Sequence, residues 1–397
     1  MKFIKVCSWK IFAVSFIVIF MLGLISIPAM ANPPPLDPRF NQAGNILISD
    51  QFNNRVIEVT PAGDIVWHWG IGPNDGTAAS IIGVNDAQRV GRLTLMAGTG
   101  APPNTEPAFP AGLPDNRVIL VDENGNIVWH YGQFGVAGSG PDQLDTPTQN
   151  TWLPNGDVLI TDQANQRVIE VNNARAIVWQ YGMTGVSGND TNQLTDPNSA
   201  ELLANGNILI ADENNDRAIE VDRNHNIVQT FTAGGTVSGC AFASRLPNGN
   251  TLLTDSNHNR IVEVNSQDVP VWEYFTDTDS GSNSAPLPTR AIRLMNGNTI
   301  ISDQFNHRVI IVSFAKQIVT TYGNINQPGF GTANTQQGLN APYDAKVNGD
   351  YTGITFPFPP NNVPASSNLS LGLMIAGLAG AIGFLAIRRM RRANQTK

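Results

Sequence analysis

The sequence predicts an all-β ring of six four-stranded antiparallel blades, a β-propeller, and three observations carry that expectation. The first is a repeat. Asp50 and Arg55, Asp162 and Arg167, Asp212 and Arg217, Asp255 and Arg260, and Asp303 and Arg308 each stand five residues apart, while Arg117 marks a sixth copy with no Asp at that spacing. These arginines follow one another at intervals of 62, 50, 50, 43 and 48 residues, the period of a propeller blade. The second is the apolar period inside each unit, two rather than 3.6, in short Ile- and Val-rich runs, which excludes helical solenoids. The third is turn chemistry. Asn155-Gly156, Asn205-Gly206, Asn248-Gly249 and Asn296-Gly297 separate such runs, and this dipeptide suits a tight hairpin because the turn needs positive φ.

Each unit reads as strands A to D; in the copy that starts near Pro197 they cover 198–203, 207–211, 217–222 and 226–231. Strand D carries an aromatic signature, as in Ile65-Val66-Trp67-His68-Trp69 and Ile177-Val178-Trp179-Gln180-Tyr181. Trp67 and Trp69 lie two apart, share a face and are expected to pack on the next blade; a stacking site for a sugar or cofactor is the other reading. Meander parity puts the B-to-C and D-to-A connections on one side of the ring and the A-to-B and C-to-D turns on the other. The first side then holds every long connection, including a Pro-, Gly- and Ala-rich insertion at 98–114, so a ligand or partner is sought there. The first unit lacks a full strand A, and Leu339 to Val347 supplies one at the other end of the chain. That predicts a ring closed by a C-terminal strand; a seven-bladed ring follows instead if residues 339–357 and 36–42 build a blade of their own.

The ends read differently. Residues 1–31 combine Lys2, Lys5 and Lys10, an apolar stretch and Ala29-Met30-Ala31, the pattern of a secretory signal peptide. The propeller is expected over 32–350, followed by a Pro/Asn/Ser linker at 351–368, an uncharged segment at 369–387 long enough to span a bilayer, and a basic tail at 388–397. Arg388, Arg389, Arg391 and Arg392 belong on the cytoplasmic side, which predicts a single-pass cell-membrane protein with the propeller outside. Setting aside three lysines at the start, and four arginines and one lysine at the end, leaves 16 basic against 32 acidic residues, a net charge of −16. Such a domain is a poor partner for nucleic acid. Cys7 leaves with the signal and Cys240 remains alone, so no disulfide can form within the mature chain.

The Gly-rich connections, Gln-Leu-x-x-Pro (Gln143, Leu144, Pro147; Gln193, Leu194, Pro197), Asn-Gly-Asn and Asp-x-x-Asn-x-Arg recur in register from about Gly44 to Val347, and together they resemble the NHL repeat. That resemblance implies a six-bladed propeller that binds protein or RNA, with some enzymatic relatives such as zinc-dependent amidating lyases. The Trp-rich strand D is more similar to bacterial quinoprotein or arylsulfotransferase-type propeller repeats. Val363-Pro364, the apolar segment and the arginines are similar to prokaryotic C-terminal sorting signals, although the usual Pro-Glu-Pro is absent.

Uniform features are expected to be scaffold, and those of one copy alone are candidates for chemistry. The five Asp-x-x-x-x-Arg pairs therefore read as turn-closing contacts, with Asp accepting backbone N–H groups and Arg bridging to an adjoining loop. Five dispersed histidines supply no convergent zinc triad, no nucleophile-base pair is visible, and no motif names a cofactor. The candidates lie on strand A. Arg89, Arg245 and Arg293 occupy one aligned column and Arg290 adds a charge nearby; they either form an anion site in the channel or lie between blades, paired with carboxylates. Asp86, Gln149, Asn198, Tyr343 and Asp344 would line the mouth of a pocket. The function expected is a membrane-anchored extracytoplasmic module that binds protein or a small anionic ligand through its loop-rich face. The alternative is an exported enzyme of arylsulfotransferase or lyase type.

Overall fold

The computed structural model describes residues 36–331 and 338–350; the expected signal peptide, linker, spanning segment and basic tail lie outside the described residues. Among the described residues no helix is long and apolar enough to cross a membrane. Six four-stranded antiparallel sheets form the blades. In blade 4 the strands are Pro197–Leu202, Ile208–Asp212, Arg217–Val221 and Ile227–Phe231, within two residues of the sequence reading. The innermost strands Val84–Val90, Pro147–Trp152, Pro197–Leu202, Cys240–Arg245, Arg290–Arg293 and Pro342–Val347 adjoin one another in a closed ring. Closure is by the C-terminal strand: Pro342–Val347 pairs with Ile46–Asp50, matching Ile46 to Val347 and Ile48 to Ala345. The ring therefore has six blades, and residues 36–42 add no strand.

The core lies between blades rather than within them. Ile208 and Ile210 pack toward blade 3, whereas Leu209 and Ala211, pointing the other way from the same strand, pack toward blade 5. A middle strand buried on both faces is apolar throughout, which is why its sequence reads Ile-Leu-Ile-Ala rather than alternating. Strand D covers only one side, so its outward residues Val128, Val178, Val228, Val271 and Val319 are exposed. Trp67 and Trp69 face blade 2, and their indole N–H groups donate to Glu123 O at 3.2 Å and Gly125 O at 3.1 Å in its C-to-D turn. Each ring thus fills a seam and also hydrogen-bonds across it.

Candidate functional site: the channel and the loop-rich face

The B-to-C loops are built alike. The carboxylates of Asp50, Asp162, Asp212 and Asp255 each accept a backbone N–H from the connection that enters their own blade, those of Asn340, Asp145, Thr195 and Ser238, at 2.8 Å each. The second oxygen takes the arginine Nε, as in Arg167 to Asp162 at 2.8 Å and Arg308 to Asp303 at 2.7 Å. Burial pushes the Asp162 and Asp303 carboxyls up to about 6, against the pull of their arginines. In blade 2 Gly98 stands at the Asp position, opposite Arg117. The contact is recovered from a direction the repeat does not announce: Asp115, at the end of the insertion, accepts from Arg117 Nε at 2.5 Å and from Ile82 N at 2.7 Å. A Cβ on Gly98 would stand 2.5 Å from the Asp115 carboxyl, so the new carboxylate fills the space vacated by the old one.

A second clasp runs between blades. The residue before each repeat arginine accepts an N–H where the next blade begins: Asn54 from Gly83, Asn116 from Thr146, Gln166 from Asp196, Asp216 from Gly239, Asn259 from Leu287, and His307 through Nδ1 from Ala341. Three of these residues, Gln166, Asp216 and His307, are not Asn and still adopt the same tight turn, with φ of 58°, 53° and 54°. Nothing in the sequence period flagged this position, because four residue types fill it and only their shared acceptor matters.

Innermost strands leave alternate N–H groups pointing at the neighbouring blade rather than at a ladder partner, and polar side chains of the preceding blade cap them. Gln88 accepts from Trp152 N at 2.7 Å, Gln149 from Ala200 N at 2.6 Å, Ser199 from Ala243 N at 3.3 Å and Glu201 from Arg245 N at 3.0 Å. Asp86 does the same for Asn150, taking its side-chain amide at 2.6 Å as well. Gln149 and Asp86 are therefore bound into the stitching of the ring. Lys346, absent from the sequence candidates, lies buried with Nζ 2.6 Å from Asp86 and 2.5 Å from Asp344 and donates to Ala87 O at 2.9 Å. Burial opposes its charge, but Asp344 and Asp86 hold the ammonium above its ordinary range. Burial also raises Asp86, to about 6, despite Lys346 beside it.

The arginine column does not converge. Arg89 pairs with Glu58, Arg245 with Glu220 at 2.9 Å, and Arg293 with Glu263 at 3.0 Å, each glutamate lying on strand C of the preceding blade. The guanidinium of Arg89 also stacks on Phe40 and Trp67, that of Arg245 on Phe231, and that of Arg293 on Trp272 and Phe314. Arg290, three residues before Arg293 on the same strand, behaves differently. It is 1% exposed and reaches from blade 6 to Thr148 O at 3.1 Å, Asn198 Oδ1 at 3.0 Å and Ala241 O at 3.1 Å, beneath the Tyr343 ring. These acceptors are neutral, and only its Nε lacks a partner. Asn198 carries the contact onward, donating to the Tyr343 hydroxyl at 2.8 Å and to Glu213 Oε2 at 2.7 Å.

Three departures from the repeat thus meet in one place. Glu213 follows the repeat Asp, where the other blades have Gln51, Thr99, Gln163, Ser256 and Gln304, so it alone is ionisable there. It is half-buried in the B-to-C loop of blade 4, and burial raises its carboxyl while Asn198 and Arg290 draw it down. Burial pushes the Tyr343 hydroxyl up to about 12. The loop-rich face also holds a cavity of about 380 Å³ between the blade 2 insertion and the connection into blade 3. Among the described residues no group of three or more His, Cys, Asp or Glu side chains is placed to hold a metal ion.

No protein-family profile and no curated protein matches the chain. Among solved structures it is similar to a Bacteroides caccae protein of unknown function, with 14% identity, a TM-score of 0.50, and coverage of 74% of this chain and 98% of that one. Virginiamycin B lyase from Staphylococcus aureus follows at 13% identity and a TM-score of 0.46, covering 72% of this chain and 86% of the lyase. The WD40 propeller domain of Doa1 gives 12% and 0.45 over 73% and 88%. At such identities the likeness is one of fold, the propeller.

Proposed function

We propose that this chain is a binding module that recognises its ligand or partner through the loop-rich face of the propeller. One observation carries the reading: the groups that break the six-fold uniformity gather on that side. Glu213, with Asn198, Tyr343 and Arg290 behind it, belongs to one blade junction, and the insertion with its cavity belongs to another. Arg290 acts from behind, as a charge that orients Asn198, because its Nη donors are already spent on carbonyls and on Asn198. Arg89, Arg245 and Arg293 hold the seams. The motifs that recur in register support placing the chain among NHL-type propellers, and the apolar segment with its arginines supports a single-pass anchor holding the propeller outside the cell membrane.

Hydrogen–deuterium exchange on the full-length chain, with and without a panel of n-butylammonium, butyrate, sulfate and a hexose, tests the reading. Protection confined to the B-to-C and D-to-A connections is expected from at least one compound class. Protection confined to the A-to-B and C-to-D turns, or chemical conversion of a panel member, would overturn it.

A further inference from the structure

We propose that the cavity beside the blade 2 insertion is a binding site for a small organic ammonium ion, with Asp145 as the counter-charge. This deepens the reading of the loop-rich face and rests on it. The cavity, about 380 Å³, is at the small end of the range that small-molecule pockets occupy. One wall is Ala101, Pro102, Pro103, Ala111, Leu113 and Pro114; the opposite side brings Asp145 and Thr146. The insertion is a built wall: Ala101 and Leu113 exchange two backbone hydrogen bonds at 2.8 Å, and the buried Glu106 accepts from Asn54 of blade 1 at 2.8 Å.

The lining selects among ligand classes. Asp145 is its one charged group, and no basic side chain joins it. Among the described residues the Asp145 carboxylate accepts only the Thr146 hydroxyl, at 3.2 Å, and has no ion-pair partner. An anion entering here would meet like charge with no cation to offset it, in a domain whose described residues already carry a large acidic excess. A wholly apolar ligand would strip water from a carboxylate and leave it uncompensated. A sugar would find no aromatic ring among the lining residues to stack on. An ammonium on a short apolar chain satisfies both halves of the site, the carboxylate with its head and the Pro, Ala and Leu wall with its body.

The experiment uses the full-length chain and ligand-observed NMR with n-butylammonium, n-butanol and butyrate. Saturable binding of n-butylammonium is expected, at least tenfold tighter than either of the others, weakened about tenfold by Asp145→Asn and abolished by Ala111→Trp, which fills the cavity from an exposed position. Should Asp145→Asn fail to fold, Ala111→Trp still locates the binding. Equal binding of all three compounds, no saturable binding of n-butylammonium, or affinity unchanged in either folded variant would overturn the proposal. If n-butylammonium is inert while another class protects the loop-rich connections from exchange, the cation site falls and the broader reading survives; protection restricted to the opposite turns removes both.

Discussion

The seams of this ring solve one packing problem in two ways. Between blades 1 and 2, 4 and 5, and 5 and 6, a strand C glutamate meets a strand A arginine: Glu58 with Arg89, Glu220 with Arg245, Glu263 with Arg293. At the same two positions the seam between blades 2 and 3 has Leu120 and Trp152, and that between blades 6 and 1 has Ile311 and Val347, packed in apolar clusters. An arginine column in an inner strand is thus a local exchange of ion pair for hydrocarbon, and its recurrence says nothing of a ligand. What distinguishes Arg290 is that no glutamate on a neighbouring strand answers it.

The largest expected effect comes from breaking one ionic seam. Arg293→Leu leaves Glu263 buried without its partner and is expected to cost about 3–5 kcal/mol, read from denaturant unfolding. Adding Glu263→Leu copies the hydrocarbon seams and should restore most of that loss. A double variant as unstable as the single one would show that the two kinds of seam are not interchangeable.

Next in size is the blade 2 exception. Asp115→Ala strands the buried Arg117 and removes the acceptor of Ile82 N, with an expected loss of about 2–4 kcal/mol. Gly98→Asp alone should also destabilise, since its Cβ meets the Asp115 carboxyl at 2.5 Å. The two changes together rebuild the repeat motif and should be closer to the parent than either one. A double variant whose melting temperature equals the sum of the two losses would refute that exchange.

Smaller again is a pH effect at the insertion. Burial pushes the Glu106 carboxyl up to about 7, with only the Asn54 amide drawing it down. Folded Glu106 therefore holds its proton over a range where the unfolded chain has released it, so stability is greatest below the ordinary glutamate range. It is lost as pH rises toward about 7, and changes little from this source beyond. Glu106→Gln should remove this slope and raise stability at pH 8 by on the order of 2 kcal/mol. Parallel melting profiles of parent and variant from pH 5 to 8 would exclude it.

Much of this was legible in the chain. The blade count, the strand limits and the closure by Pro342–Val347 follow from a period and from Asn-Gly turns, because local rules set them. Even the seams were readable: Glu58, Glu220 and Glu263 align on strand C opposite the three arginines, and Leu120 and Ile311 align opposite Trp152 and Val347. That signal lies in a pair of columns, and one column taken alone conceals it. Lys346 between Asp86 and Asp344, and Glu213 reaching Arg290 through Asn198, were not readable. The first joins neighbouring blades 1 and 2 through side chains of one copy each, and the second links blades 4 and 6, which are not neighbours, so neither leaves a mark in a linear period.

The seam between blades 3 and 4 is the mixed case and gives the smallest effect. Glu170 faces Leu202, which cannot answer its charge, and Arg223 reaches in from the C-to-D turn of blade 4 to Glu170 at 2.5 Å, over the Trp179 ring. The Arg223 side chain is 38% exposed, against 11% for Arg293, so water screens the pair and takes up the carboxylate when the arginine is removed. Arg223→Ala should therefore cost only about 1 kcal/mol. Placing Leu202→Arg in that background recreates the column that blades 2, 5 and 6 use, and should recover the loss because the glutamate is already in position. If Arg223→Ala costs as much as Arg293→Leu, exposure does not set the scale of these seams; if Leu202→Arg destabilises further, the strand A position in blade 4 is shaped for leucine and the seams are not equivalent.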